Sequence, residues 1–129
     1  MIIIRRMCMA AAIAAFLSGT LYAQDLSNQV VRLFATRQEF DHFSPWAKKG
    51  QQKVTMNGTV VGKNLILTSA YSLADVTMVE AMKHGESKRY PAQILVKDYF
   101  CGLALLTVKD PGFFSDLAPA ELLDPQKLI

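Results

Sequence analysis

The sequence is poor in cysteine and histidine, and no apolar run in it is long enough to span a membrane. It holds 2 cysteines, Cys8 and Cys101, and 2 histidines, His42 and His84, in 129 residues. Cys8 lies in the N-terminal apolar segment, so Cys101 alone is left for the rest of the chain. That excludes a fold stapled by internal disulfides. Two histidines and one cysteine supply no ligand set at metal spacing, so neither a metal site nor a cofactor is expected. Cys101, beside Phe100 and close to Leu103, reads as a buried small hydrophobe rather than a reactive thiol. A membrane-spanning helix needs about 20 apolar residues. The apolar run Met7–Leu17 falls short of that. There is no internal repeat and no low-complexity tract.

What is present at the N-terminus reads as a cleaved leader, with an uncleaved anchor or a misplaced start as the alternative. Arg5 and Arg6 precede the apolar run, and Ser18–Ala23 offers small residues before a cleavage point. This is the pattern of a secretory signal peptide over residues 1–23. Cys8 sits at the start of the apolar run rather than after it, so no lipid-anchored cysteine is expected. Two of the 14 basic residues lie in this leader, which leaves 12 against 11 acidic residues and takes the net charge from +3 to +1. Such a balance gives no argument for a nucleic-acid partner. Export also implies an oxidising compartment, periplasmic or extracellular, and no stable membrane span once the leader is cleaved.

Residues 24–129 are enough for one small domain. Gln29–Ala35, Lys53–Val61, Leu65–Thr68, Val76–Met82, Lys88–Val96 and Leu103–Val108 read as short strands. Leu65–Thr68 and Leu103–Val108 have the continuous apolar character of fully buried strands. Asn57–Gly58 is either a hairpin turn or a glycine bend inside a strand. Pro91 argues for an edge or a bulge. Thr36–Gln51 reads as a surface loop with Phe43 and Trp46 tucked beneath it, and Tyr71–Asp75 as a turn of helix. Met78 and Met82 read as core filler. Phe113–Ile129 shows no periodicity. Six short strands with no long helix favour an all-β fold, a small antiparallel barrel or sandwich.

Four stretches then come in a telling order: Asn57-Gly58-Thr59-Val60-Val61-Gly62, Ile66-Leu67-Thr68-Ser69-Ala70-Tyr71-Ser72, Lys83 to Ala92, and Cys101-Gly102-Leu103-Ala104-Leu105-Leu106-Thr107-Val108. Together they resemble the first barrel of the trypsin-like serine proteases of the HtrA/Deg group, with Pro45-Trp46 as a further likeness to the plant and bacterial members. The resemblance covers about residues 29 to 127. It implies a six-stranded antiparallel barrel, the first half of a two-barrel fold, incomplete before the second barrel.

The departures carry the functional expectation. The family's general base is the His after Leu-Thr-x-Ala; Tyr71 stands there. Its orienting Asp precedes the Leu-Ala-Leu-Leu run; Gly102 stands there. No Gly-x-Ser-Gly-Gly occurs in the sequence. A phenol titrates at about 10 and is a poor base at neutral pH. Loss of one triad member costs on the order of 10⁴ to 10⁶ in turnover. No catalytic residue is therefore expected. His84 in a hairpin turn and His42 in a loop read as solvated, a Cys101–His84 pair as out of reach, and Lys48-Lys49 and Lys88-Arg89 as solvated basic spots.

The expected protein is thus an exported, catalytically inactive protease-like domain serving as a peptide- or protein-binding remnant. Two alternatives stay open: a piece of a longer, split protease-like gene, or an unrelated exported β-barrel adaptor. Interfaces of the barrel–barrel kind bury roughly 600–1,500 Å². A lone first barrel would expose that face to a protein or peptide partner or to self-association.

Overall fold

The computed structural model describes residues 26–124 and residue 126. The leader expected at residues 1–23 lies outside the described residues. Six strands form: β1 (Val30–Arg37), β2 (Gln52–Val60), β3 (Ile66–Ser69), β4 (Val76–Met82), β5 (Tyr90–Asp98) and β6 (Leu103–Val108). They close into an antiparallel barrel in the order β1-β2-β3-β6-β5-β4. The all-β, six-stranded barrel expected from the sequence is the observed fold. No helix among the described residues is long and apolar enough to cross a membrane.

The barrel follows from the period of two. Along β1, Val31, Leu33 and Ala35 are buried while Arg32 is exposed, because successive side chains of a strand point to opposite faces. Asn57–Gly58 lies inside β2, so the hairpin alternative falls away. A Cβ on Gly58 would stand 2.5 Å from Ile66 Cγ2 and 3.0 Å from Leu33 Cδ1, a space only glycine fits. Pro91 lies just beyond Ala92–Val108, where the pairing of β5 with β6 ends, and β5 carries an irregularity between Ile94 and Val96. Pro91 therefore owes no ladder hydrogen bond on the β6 side, although it pairs with Glu80 on the β4 side.

Several expectations are corrected. β3 and β6 are not fully buried. Ile66, Thr68, Ala104, Leu106 and Val108 face inward, while Leu67 and Leu105 are half-buried and Leu103 is exposed. A single closed barrel has one interior, so the alternate apolar residues line its outside. Met78 is exposed and Met82 half-buried for the same reason; they flank the inward Val79 and Ala81. Phe43 and Trp46 are not tucked in but 97% and 86% exposed. Their loop is held by its own polar groups. Asp41 N–H donates to the Ala47 carbonyl, Lys49 N–H to the Glu39 carbonyl, and Glu39 pairs with Arg37 and Lys49. Cys101 is exposed, not buried, because it sits in the turn between β5 and β6 and not on either strand.

The segment after β6 has no strand, yet it closes the barrel. Phe113 is fully buried, edge-on to Tyr90 and to Phe114 with ring centroids 5.0 Å apart in each case. Burying such a side chain stabilises by about 1.5–3 kcal/mol. Lys83 reaches into the same corner. Its ammonium lies 3.0 Å from Glu86 and 3.2 Å from Asp116 and over the rings of Tyr90 and Phe113. Ala118 and Ala120 then donate to the carbonyls of Asn28 and Val60, tying the segment back to the sheet.

Candidate functional site

The positions singled out by the sequence, Tyr71 and Gly102, meet in space. The cause is the register of β3 on β6, which pairs Ser69 with Leu103. The residues that follow Ser69 and those that precede Leu103 must then leave the barrel side by side. Ala70 N–H donates to the Gly102 carbonyl at 2.9 Å and locks the two exits together. Tyr71 opens a short 3₁₀ turn, Tyr71–Leu73, anchored by the fully buried Leu73.

Gly102 has φ +73°, a left-handed conformation that favours glycine. A Cβ there would stand 3.2 Å from Tyr71 Cε2, so the tyrosine ring lies directly over the glycine. Tyr71 is 64% exposed, and its hydroxyl donates to the Tyr99 carbonyl at 2.8 Å. The rings of Tyr71 and Tyr99 are tilted, 6.0 Å apart. Phe100 beside them is fully exposed.

The turn itself is built on Asp98. Its carboxylate accepts the N–H of Phe100 at 2.8 Å and that of Cys101 at 3.3 Å. The Phe100 N–H, followed by the Cys101 thiol and N–H, holds the Asp98 carboxyl below the ordinary carboxylate range. This carboxylate organises the loop through those bonds. The Tyr71 hydroxyl is occupied by a backbone carbonyl, and Gly102 offers no side chain. The corner therefore contains an aromatic donor and a structural acid, without a base–carboxylate pair.

The other residues considered from sequence are not brought together. His84 lies exposed in the β4–β5 turn and Cys101 in the β5–β6 turn, at opposite ends of β5. Nine strand residues span about 30 Å. His42 is exposed in the loop after β1. Lys48, Lys49, Lys88 and Arg89 are exposed, with Arg89 paired to Glu80 and stacked over the Phe34 ring. No group of three or more His, Cys, Asp or Glu among the described residues is placed to hold a metal ion. Sequence reasoning missed Lys83 and Tyr99. Glu86 is a local partner of Lys83, but nothing local marks Lys83 as buried, since Asp116, 33 residues away, and Phe113 complete its surroundings.

No protein-family model matches the chain. Among curated proteins it is 33% identical over 95 residues to Protease Do-like 4, mitochondrial, of Arabidopsis thaliana, covering 74% of this chain and 18% of that one. It is 30% identical over 95 residues to Protease Do-like 2, chloroplastic, of the same plant, covering 74% of this chain and 16% of the other. A serine protease DegP homolog of Plasmodium falciparum is 31% identical over 88 residues, 68% of this chain and 10% of that protein. The chain is related to the HtrA/Deg-type, trypsin-like proteases. It spans less than a fifth of the length of these three relatives. Among solved structures, the active form of the Rv3671c protease from M. tuberculosis superposes on this HtrA/Deg-like barrel with a TM-score of 0.58 at 17% identity, over 84% of this chain and 40% of the other. At that identity the match concerns the fold: a trypsin-like barrel.

Proposed function

We propose that this protein is an exported, catalytically inactive HtrA/Deg-like barrel that acts by binding protein or peptide. In this reading residues 1–23 are a cleaved leader, residues 24–129 correspond to the first of the two protease barrels, and the compartment is periplasmic or extracellular. The observation that carries the proposal is the stacking of the Tyr71 ring on Gly102. These are the positions at which the resemblance puts the base and its orienting carboxylate. Triad chemistry needs an imidazole free to take a proton and a carboxylate to hold its tautomer. A phenol that donates to the Tyr99 carbonyl and a glycine supply neither.

The test is proteolysis. Purified protein is incubated with unfolded casein, with and without a covalent serine-protease inhibitor. The expected outcome is no inhibitor-sensitive cleavage above buffer. Cleavage that the inhibitor abolishes overturns the inactive reading.

A further inference from the structure

The barrel is closed unevenly. β1 pairs with β2 along its whole length. β4 and β5 are joined only at Val79–Ala92, Glu80–Pro91 and Ala81–Tyr90. Below that short weld the two strands part. Val76 and Met78 of β4 pair with β1 alone, and Thr77 sends its hydroxyl to the Thr36 carbonyl on the same side. Gln93 to Asp98 of β5 pair with β6 alone. Val76–Met78 and Gln93–Val96 thus face each other across a seam. Main-chain groups directed into it meet no strand partner among the described residues.

A cleft of about 510 Å³ fills the seam, walled by Val76, Met78, Pro91, Gln93, Ile94 and Lys109. Val76 and Ile94 also pack against the core, so the cleft opens onto apolar surface. The volume falls in the range of ligand-binding clefts, about 300–1,000 Å³. Lys109 has no ion pair among the described residues. Pro91 stands at one end of the open edge. At the other, the Lys97 ammonium lies 3.5 Å from the Leu73 carbonyl. A proline, a lysine and the irregularity between Ile94 and Val96 are devices that stop long edge-to-edge pairing. Pro91 and Lys97 bound an edge of about four residues, or about 13 Å, the length of a short peptide segment, and the irregularity bends it against long, flat pairing.

We propose that this seam binds a short extended polypeptide segment, added as a strand to the Gln93–Val96 edge of β5. Alternate apolar side chains of the segment enter the cleft between Val76 and Ile94, and an acidic residue faces Lys109. Main-chain hydrogen bonds supply the attachment and the cleft supplies the side-chain preference. The proposal rests on the binding role given above and names its surface.

The test uses the full chain and the fluorescein-labelled pentapeptide Glu-Thr-Val-Thr-Val, whose Glu and Val side chains share one face of an extended strand. Binding is read by anisotropy and located by amide hydrogen exchange. Expected are saturable binding, slower exchange within residues 76–78 and 93–96, and loss of binding when the peptide is N-methylated at one alternate set of backbone nitrogens. Met78→Glu and Lys109→Glu, both at exposed positions, each weaken binding by about fivefold. Lys109→Glu also shifts preference toward the Lys-Thr-Val-Thr-Val peptide. Binding that protects the Tyr71–Phe100 corner instead overturns the seam but leaves the binding role standing. No binding at any site overturns both. Protection of the seam that rises with protein concentration without peptide makes a second copy the occupant and overturns the proposal.

Discussion

Two corners of this barrel are built from the same materials and behave in opposite ways. At one, Tyr90, Phe113 and Phe114 pack edge to face around Lys83, whose ammonium is held by Glu86 and Asp116. At the other, Tyr71 lies over Gly102 with the Tyr99 ring tilted against it, beside Asp98. Phe113 is fully buried and Tyr71 is 64% exposed. The difference is the barrel axis. The first corner plugs an open end of the core, so its aromatics replace water over apolar surface. The second hangs outside, on the exits of β3 and β6, where a ring contributes little to folding. Aromatic rings beside a charged residue therefore fill the core at one corner and lie on an exposed turn at the other.

The comparison breaks most readily at the plug. Phe113→Ala is expected to destabilise by about 3–5 kcal/mol, a large share of the stability of a domain this size. Chemical denaturation reads it directly. A loss below about 1 kcal/mol would show that the segment after β6 is not part of the core.

Gly102→Ala comes next. The left-handed backbone makes any side chain there cost about 1–2 kcal/mol, and the new Cβ meets the Tyr71 ring. In a Tyr71→Ala background the steric share disappears and the conformational share stays. A double-mutant cycle by urea unfolding is expected to show the double variant losing less stability than the sum of the two single losses, by up to about 1 kcal/mol. Zero coupling would mean that the ring and the glycine do not meet.

The smallest effect is at Lys83. Hydrogen bonding to Glu86 is the largest influence on this ammonium and raises its pKa above the ordinary 10.5; burial opposes the rise, and Asp116 adds to it. A raised folded pKa stabilises fully below the unfolded value and is lost as pH climbs through the folded one. Lys83→Met, which keeps the packing, is expected to cost about 1 kcal/mol at neutral pH. The gap between wild type and variant should close as thermal unfolding is followed upward past pH 10.5. A gap independent of pH would assign Lys83 to packing alone.

Much of this was legible in the chain. The strands of β4 and β6 fall at the expected residues, because alternation and turn residues bound them. β1 starts one residue and β5 two residues later than the sequence suggests, and both end two residues later, since hydrogen-bonded pairing continues after apolar character stops: Arg37 still pairs with Gln52, and Asp98 with Leu103. Tyr71 and Gly102 were identified by position in a pattern, and nothing in the pattern said that one would lie on the other. Phe43, Trp46 and Cys101 were misplaced because hydrophobicity alone does not report whether a loop has room beneath it. Lys83 was invisible because its burial is made by Phe113 and Asp116, about 30 residues later.

The sequence by itself determined the strand count, the relationship to the HtrA/Deg-type proteases and the residue types at Tyr71 and Gly102. These depend on local alternation, glycine placement and order along the chain. Only the tertiary structure decided which apolar residues face water, that Phe113 is the plug, and that β4 and β5 part below Val79. Those outcomes rest on closure: joining six strands into one ring fixes the registers together, and the three pairs left between β4 and β5 are what that ring allows.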